Sequence, residues 1–277
     1  MAQHPFDEAV ALAPGPDGGF AGRPHPAYAN MVGPFGGITA AQMMQAVLLH
    51  PARLGEPVAL TVNFAAGLAD APFVIAARPA RTNRSTQHWV MELTQPDAGG
   101  GPSTMITATA VTAARRSTWS AIDAPMPANL PRAQDIARRP AGPPSPMRFV
   151  DRYDIRPVAG HLPRQWDGSE TGGSLSQFWL RDEPPRPLDF ASLAALADAF
   201  FPRVWLRRAI RTPAGTVSMT VYFHASAAEL AATGSGYLLG QARSQSFFNG
   251  FFDQSAELWN EAGHLLATTH QIVYFKE

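Results

Sequence analysis

The sequence contains no cysteine and a single lysine, Lys276. The first absence removes disulfides, thiolate nucleophiles and cysteine-ligated zinc. The second removes the phosphate-binding lysine of a P-loop. Charge of either sign is scarce: charged residues make up 16% of the chain, and 22 basic side chains cancel 22 acidic ones. Such a balance gives no bulk attraction to nucleic acid or to an anionic membrane. No apolar run approaches the ~18–20 residues that a membrane span needs. The first residues, MAQHPFDE, lack a basic stretch followed by an apolar one, so no signal peptide is expected and a cytoplasmic location is the default. There is no GxSxG elbow, no HExxH zinc motif, and no glycine-rich loop that leads into a helix, since Gly15 to Gly22 run on into HPAY.

Apolar residues, at 45%, are abundant enough for a sizeable core. Proline is plentiful and unevenly spread. Pro125, Pro127, Pro131, Pro140, Pro143, Pro144 and Pro146 crowd residues 123–146 and exclude regular helix or central strand over most of that stretch. It divides the chain into halves at 1–118 and 147–277, with a proline-rich linker over 119–146; a long structured loop is the alternative. Each half begins with a helix signal. Gly36-Gly37 precedes ITAAQMMQAVLLH, where Ile38, Ala41, Met44, Val47 and Leu48 recur at helical spacing. In the second half Asp189 is a suitable N-cap for FASLAALADAFF, which Pro202 closes. Strand signals follow at 57–67, 71–81, 86–96 and 103–113, and again at 215–225, 236–248, 251–261 and 264–275, with hairpin turns at 97–101 and 260–263. LTVNF at 60–64 and MTVYF at 219–223 match almost residue for residue, which suggests a duplication.

A helix followed by four antiparallel strands, twice over, is an α+β layout. Together with the Gly-Gly pair, the proline-rich connection and three residues of the second half, it resembles the double hotdog of the acyl-CoA thioesterase II family and its thioesterase-like relatives, over roughly residues 20–277. The resemblance implies two tandem hotdog domains, each a long helix wrapped by a curved antiparallel sheet. It also implies hydrolysis of an acyl-CoA substrate without metal or cofactor, and it leaves a homo-oligomer open. The alternatives on the same fold are a catalytically weak acyl-CoA or acyl-carrier binding protein and an enoyl hydratase-dehydratase.

The three residues are Asp198 in LADAFF, Thr216 in TVSMTVYFH, seven residues before Phe223-His224, and Gln271 in ATTHQ. Asp198 is the only ionisable residue between Asp189 and Arg203, and helical spacing puts it on the flank of the apolar stripe beside Ala194, Phe201 and Trp205. The resemblance makes these three the catalytic set. A carboxylate can take a proton from water, and a hydroxyl and an amide can hold that water in line. Taken singly, each has a plain reading: a solvent-facing Asp, a β-forming Thr, a structural Gln. Gly36, Gly37 and Ile38 are candidate backbone donors for an oxyanion at a helix start, or else a turn that requires glycine. Arg203, Arg207, Arg208 and Arg211 are candidates for coenzyme A phosphates or for a solvated turn. Phe201, Phe247 and Phe248, with Phe251 and Phe252, are candidates for an acyl tunnel or for core packing. Matching the halves puts Val47, Pro57 and Ala110 opposite Asp198, Thr216 and Gln271. One half would then carry the chemistry and the other would complete the cleft.

Overall fold

The computed structural model describes residues 3–138 and 145–277. Met1 and Ala2 of the N-terminal reading, and Pro140, Pro143 and Pro144 of the linker, lie outside the described residues. The first half opens with α1 (Pro5–Ala9), β1 (Ala13–Pro14) and β2 (Phe20–Gly22). Helix α2 (Gly36–Leu49) then precedes β3 (Glu56–Phe64), β4 (Phe73–Thr82), β5 (Thr86–Pro96) and β6 (Pro102–Ala113). The second half runs β7 (Tyr153–Ala159), β8 (Ser176–Asp182), α3 (Phe190–Leu196), α4 (Arg203–Arg207), β9 (Ala214–Phe223) and α5 (Ala227–Thr233). It ends with β10 (Leu238–Arg243), β11 (Phe247–Phe248), β12 (Phe251–Asn260) and β13 (Leu265–Phe275).

All strands join one antiparallel sheet in the order β1-β2-β4-β5-β6-β3-β9-β13-β12-β10-β8-β7, with β11 paired to β12. The order reads the same outward from its middle. The middle is the pairing of the two look-alike segments: β3 lies against β9 with Thr61 opposite Thr220, Leu60 opposite Val221 and Val62 opposite Met219. Because Thr61 and Thr220 occupy the same place in the two segments, an approximate two-fold axis passes between them, and their hydroxyls hydrogen-bond at 3.0 Å. Strand β5 shows the alternation that drives this, with every second residue buried. The buried faces of both halves close over α2 and α3, whose apolar residues belong to a single core. This is the double hotdog, two helix-and-sheet units sharing one sheet.

Two strands of the second half, β7 and β8, precede its helix and carry no clear strand signal. The first half has its counterparts in β1 and β2. The proline-rich segment is also more than a tether. Leaving β6, Arg115 donates to the carbonyls of Pro57, Phe223 and His224, which ties both halves together at the axis. The chain then crosses the outer face of the second half's strands. Trp259 on β12 donates to the Ala124 carbonyl, Trp179 on β8 to that of Pro131, and Arg156 on β7 to those of Ala133 and Ile136. Ala133, Trp179, Tyr237, Leu239 and Trp259 form a small second core beneath it.

Candidate active site

Asp198 does not stand on a helix flank. Helix α3 is seven residues long and ends at Leu196, so Asp198 lies just past the C-cap residue Ala197, with its N–H on the Ala195 carbonyl. The apolar stripe continues to Phe201, but two features break the helix. Pro202 disfavours helical geometry at Phe201. The buried guanidinium of Arg203 also takes the Phe201 carbonyl, through Nε at 2.9 Å and Nη2 at 2.6 Å. The break aims the Asp198 carboxylate at the N-terminus of α2 in the other half.

Thr216 reaches the site through a β-bulge. The register of β9 on β13 shifts between Ser218 and Thr216, which leaves Val217 without a partner. Strict alternation from the buried Met219 would turn Thr216 outward; the extra residue turns it back to the inner face. There its hydroxyl donates to Gln271 Oε1 at 3.1 Å. Gln271, buried on the inner face of β13, donates through Nε2 to Asp198 Oδ1 at 2.9 Å and to Met219 Sδ at 3.4 Å. The three residues form one hydrogen-bonded chain, Thr216 to Gln271 to Asp198.

Gly36 and Gly37 complete the site from the first half. A Cβ on Gly36 would lie 2.8 Å from Asp198 Oδ2 and 3.4 Å from the Phe64 ring. One on Gly37 would lie 2.5 Å from the Ala195 carbonyl oxygen. Close approach requires glycine at both positions. Burial raises the Asp198 pKa to about 7, against the smaller opposing effects of the Gln271 amide and the Gly37 backbone N–H. Gly36 lets the α2 backbone approach Asp198 Oδ2 closely, and Asp198 itself is half-buried. The start of α2 lies against the carboxylate, and a helix N-terminus favours negative charge. The Gly37 N–H already supports the carboxylate, which leaves Gly36 and Ile38 as the freer donors.

The peripheral candidates divide. Arg203 is fully buried and donates to the Ser174 carbonyl and the Ser176 hydroxyl as well as to Phe201, so it is unavailable to a phosphate. Burial pulls its pKa down to about 9. Arg207 pairs with Glu170 at 3.5 Å, Arg208 with Glu277, and Arg211 lies over the Trp166 ring at 4.5 Å. Arg207 and Arg208 line an open surface pocket of about 700 Å³ together with Phe247, Phe248 and Phe275. Asp198, Thr216 and Gln271 do not line that pocket. Phe247 and Phe248 line that pocket, and Phe248 is 73% exposed. Phe252 is buried and Phe251 exposed, while Phe201 packs near Phe178, ring centroids 6.0 Å apart. Sequence reasoning overlooked Tyr28, Tyr153 and Asp182, buried polar residues near the site that carry no motif.

The sheet order and the site at the junction define a double-hotdog protein. Residues 25–113 match the family model for the acyl-CoA thioesterase N-terminal domain, and residues 127–275 match that for the C-terminal domain. The chain belongs to the acyl-CoA thioesterase family. A hotdog-fold protein of unknown function from Alicyclobacillus acidocaldarius is 46% identical, with 100% of this chain and 99% of that one covered at a TM-score of 0.91. A putative thioesterase II from Thermobifida fusca YX is 20% identical over 100% and 99%, TM-score 0.81. An acyl-CoA thioesterase II from Mycobacterium marinum is 18% identical over 98% of each chain, TM-score 0.71. No curated protein matches the chain. No helix among the described residues is long and apolar enough to cross a membrane.

Proposed function

We propose that the chain hydrolyses acyl-CoA thioesters to the free acid and coenzyme A, with Asp198 activating water. The observation that carries this reading is the Thr216–Gln271–Asp198 chain, which ends in a carboxylate raised to about 7 against the N-terminus of α2. A general base poised near neutral pH combines sufficient ionised form with sufficient basicity. Gln271 holds Oδ1, so Oδ2 receives the proton. Water oxygen bonds to the thioester carbonyl carbon as its proton passes to Asp198. The carbonyl becomes an oxyanion, for which the N–H groups at the start of α2 are the proposed donors. Collapse re-forms the carbonyl and breaks the carbon–sulfur bond. The Asp198 proton goes to the departing thiolate, a stronger base than a carboxylate of pKa about 7, since a free thiol has a pKa of roughly 8.5.

The test is coenzyme A release, followed with a thiol reagent; the chain has no cysteine to give background. Asp198→Asn keeps the shape and removes the proton acceptor. Its kcat should fall by about 10²–10⁴ with KM little changed. A variant that turns over as fast as the parent overturns the assignment. A parent that binds acyl-CoA without releasing coenzyme A is a binding protein instead.

A further inference from the structure

Next to the proposed catalytic chain lies a second polar cluster that the hydrolysis of a plain acyl chain does not use. Tyr28, in the turn before α2, is fully buried; Tyr153, at the start of β7, and Asp182, at the end of β8, are each 3% exposed. The two tyrosine rings lie 6.3 Å apart. Ser192 on α3 donates to Asp182 Oδ2 at 2.6 Å. The remaining polar atoms, Tyr28 Oη, Tyr153 Oη and Asp182 Oδ1, have no hydrogen-bond partner among the described residues. Leaving such groups unpaired is costly, and a native structure that gathers three in one place calls for a partner. The cluster adjoins the site. Tyr153 packs edge-on against Phe35 at 6.1 Å, and Phe35 leads directly into Gly36, which lies against Asp198 Oδ2. The electrostatics agree: Tyr153 is held well above its ordinary range by burial, then by Tyr28, Asp182 and Asp198. Both phenols keep their protons. Burial likewise lifts Asp182, to about 6, so near neutral pH it is mainly an acceptor.

We propose that Tyr28, Tyr153 and Asp182 form a hydroxyl-recognition subsite, and that the preferred acyl group carries a hydroxyl. The proposal rests on the thioesterase reading and narrows its substrate class. The donor and acceptor inventory selects among acyl groups. An alkyl chain leaves all three atoms unpaired. A keto oxygen accepts from the tyrosines but leaves Asp182 Oδ1 without a donor. A hydroxyl accepts from a tyrosine and donates to Asp182 Oδ1. A site built to bond a hydroxyl discriminates strongly against an analogue that lacks it.

The test compares CoA thioesters of one chain length: the unsubstituted acyl, its keto analogue, and a series with the hydroxyl at successive positions. For at least one hydroxy isomer kcat/KM should exceed that of the unsubstituted ester by about ten- to hundredfold, with the keto analogue between them. In Tyr153→Phe and Tyr28→Phe that ratio should collapse to within about threefold. Neither hydroxyl bonds to a described residue, so neither variant should melt below the parent, and two independent variants guard against a folding failure in one. A parent with no hydroxyl preference, as expected if water alone fills the cluster, overturns the proposal. So does a preference that survives in both variants. If no thioester is turned over, the thioesterase reading fails on its own account, and calorimetric Kd values for the same esters apply the same criteria to the subsite.

Discussion

The two halves share a scaffold down to its irregularities and differ in what they place on it. In the second half the register shift between Thr216 and Ser218 leaves Val217 unpaired; in the first, the shift between Pro57 and Ala59 leaves Val58 unpaired. The bulge is the same one, and it turns Pro57 to the buried face where Thr216 stands in the other half. Ala110 pairs with Leu60 as Gln271 pairs with Met219. Pro57 offers no donor and Ala110 no amide. The helices diverge most. Helix α2 runs unbroken for 14 residues, whereas α3 stops after seven and resumes as α4. Counted from the N-caps, Met44 falls opposite Asp198, one turn from the Val47 that the helix ends suggest; both are fully buried. What separates the halves is three side chains and a broken helix. The unbroken helix is not idle, for its glycine start packs against Asp198 Oδ2. The site needs one half of each kind.

Among substitutions that set one half against the other, the largest expected effect comes from mirror substitutions. Gln271→Ala removes the amide that holds Asp198 Oδ1 and should lower kcat by about 10–100-fold, the worth of one hydrogen bond to a charged group. Ala110→Gln at the matching register should cost about 1–3 kcal/mol through overpacking, and should leave turnover intact in the folded fraction. If the first-half substitution instead abolished coenzyme A release at an unchanged melting temperature, the division of labour would be wrong.

Much of this asymmetry was legible in the sequence, and the remainder was not for identifiable reasons. Strand β5 matches the expected 86–96, because its alternation is unbroken and its turn carries a local signal: Asp97 Oδ1 accepts from the N–H groups of Gly99 and Gly101. Pairing LTVNF with MTVYF was visible as a repeat but not as a contact, since similarity says nothing about register. Strand β7 was hidden by Pro157, which an edge strand tolerates at its bulge. The break after Leu196 was hidden because apolar periodicity continues through Ala199–Phe200–Phe201, and the tertiary grip of Arg203 on Phe201, which acts beside Pro202, leaves no mark in that periodicity. Arg203 itself looked like one of four surface arginines; composition cannot show which member of a cluster is buried. Thr216 and Gln271 were found by resemblance, and the bulge that brings Thr216 inward leaves no mark in the sequence.

A pH-dependent effect also separates the halves. Asp198 has a folded pKa of about 7, against roughly 3.9 in an unfolded chain. Between about pH 4 and 7 the unfolded chain gives up a proton that the folded chain keeps, so stability falls as pH rises through that window and levels off above it. Asp182, lifted to about 6, adds a slope of the same sign, so the part due to Asp198 is read as the difference between parent and variant. Asp198→Asn should match the parent near pH 4 and exceed it by up to about 4 kcal/mol near pH 8, measured by urea unfolding. Activity should move the opposite way, with kcat/KM rising through about pH 7 as the base ionises. Parallel stability curves for parent and variant would show that Asp198 is better solvated than its surroundings indicate.

The smallest effect tests the axis itself. Thr61 and Thr220 face each other across β3 and β9, and their hydroxyls form one hydrogen bond, at 3.0 Å. A cross-strand threonine pair contributes about 0.2–1 kcal/mol. Thr61→Val and Thr220→Val should each cost that much, and equally, because both environments are built from the same neighbours: Leu60 and Val62 on one side, Met219 and Val221 on the other. The double variant should cost little more than either single one, since the second substitution has no bond left to break. Turnover should not respond, because both hydroxyls lie on the outer face while Gln271 and Thr216 lie on the inner one. Unequal costs would mean that the symmetry of the pairing does not extend to its surroundings. A kcat change on one side alone would mean that the outer face of the shared sheet communicates with the site, and the halves would then differ by more than Thr216, Gln271 and the break that exposes Asp198.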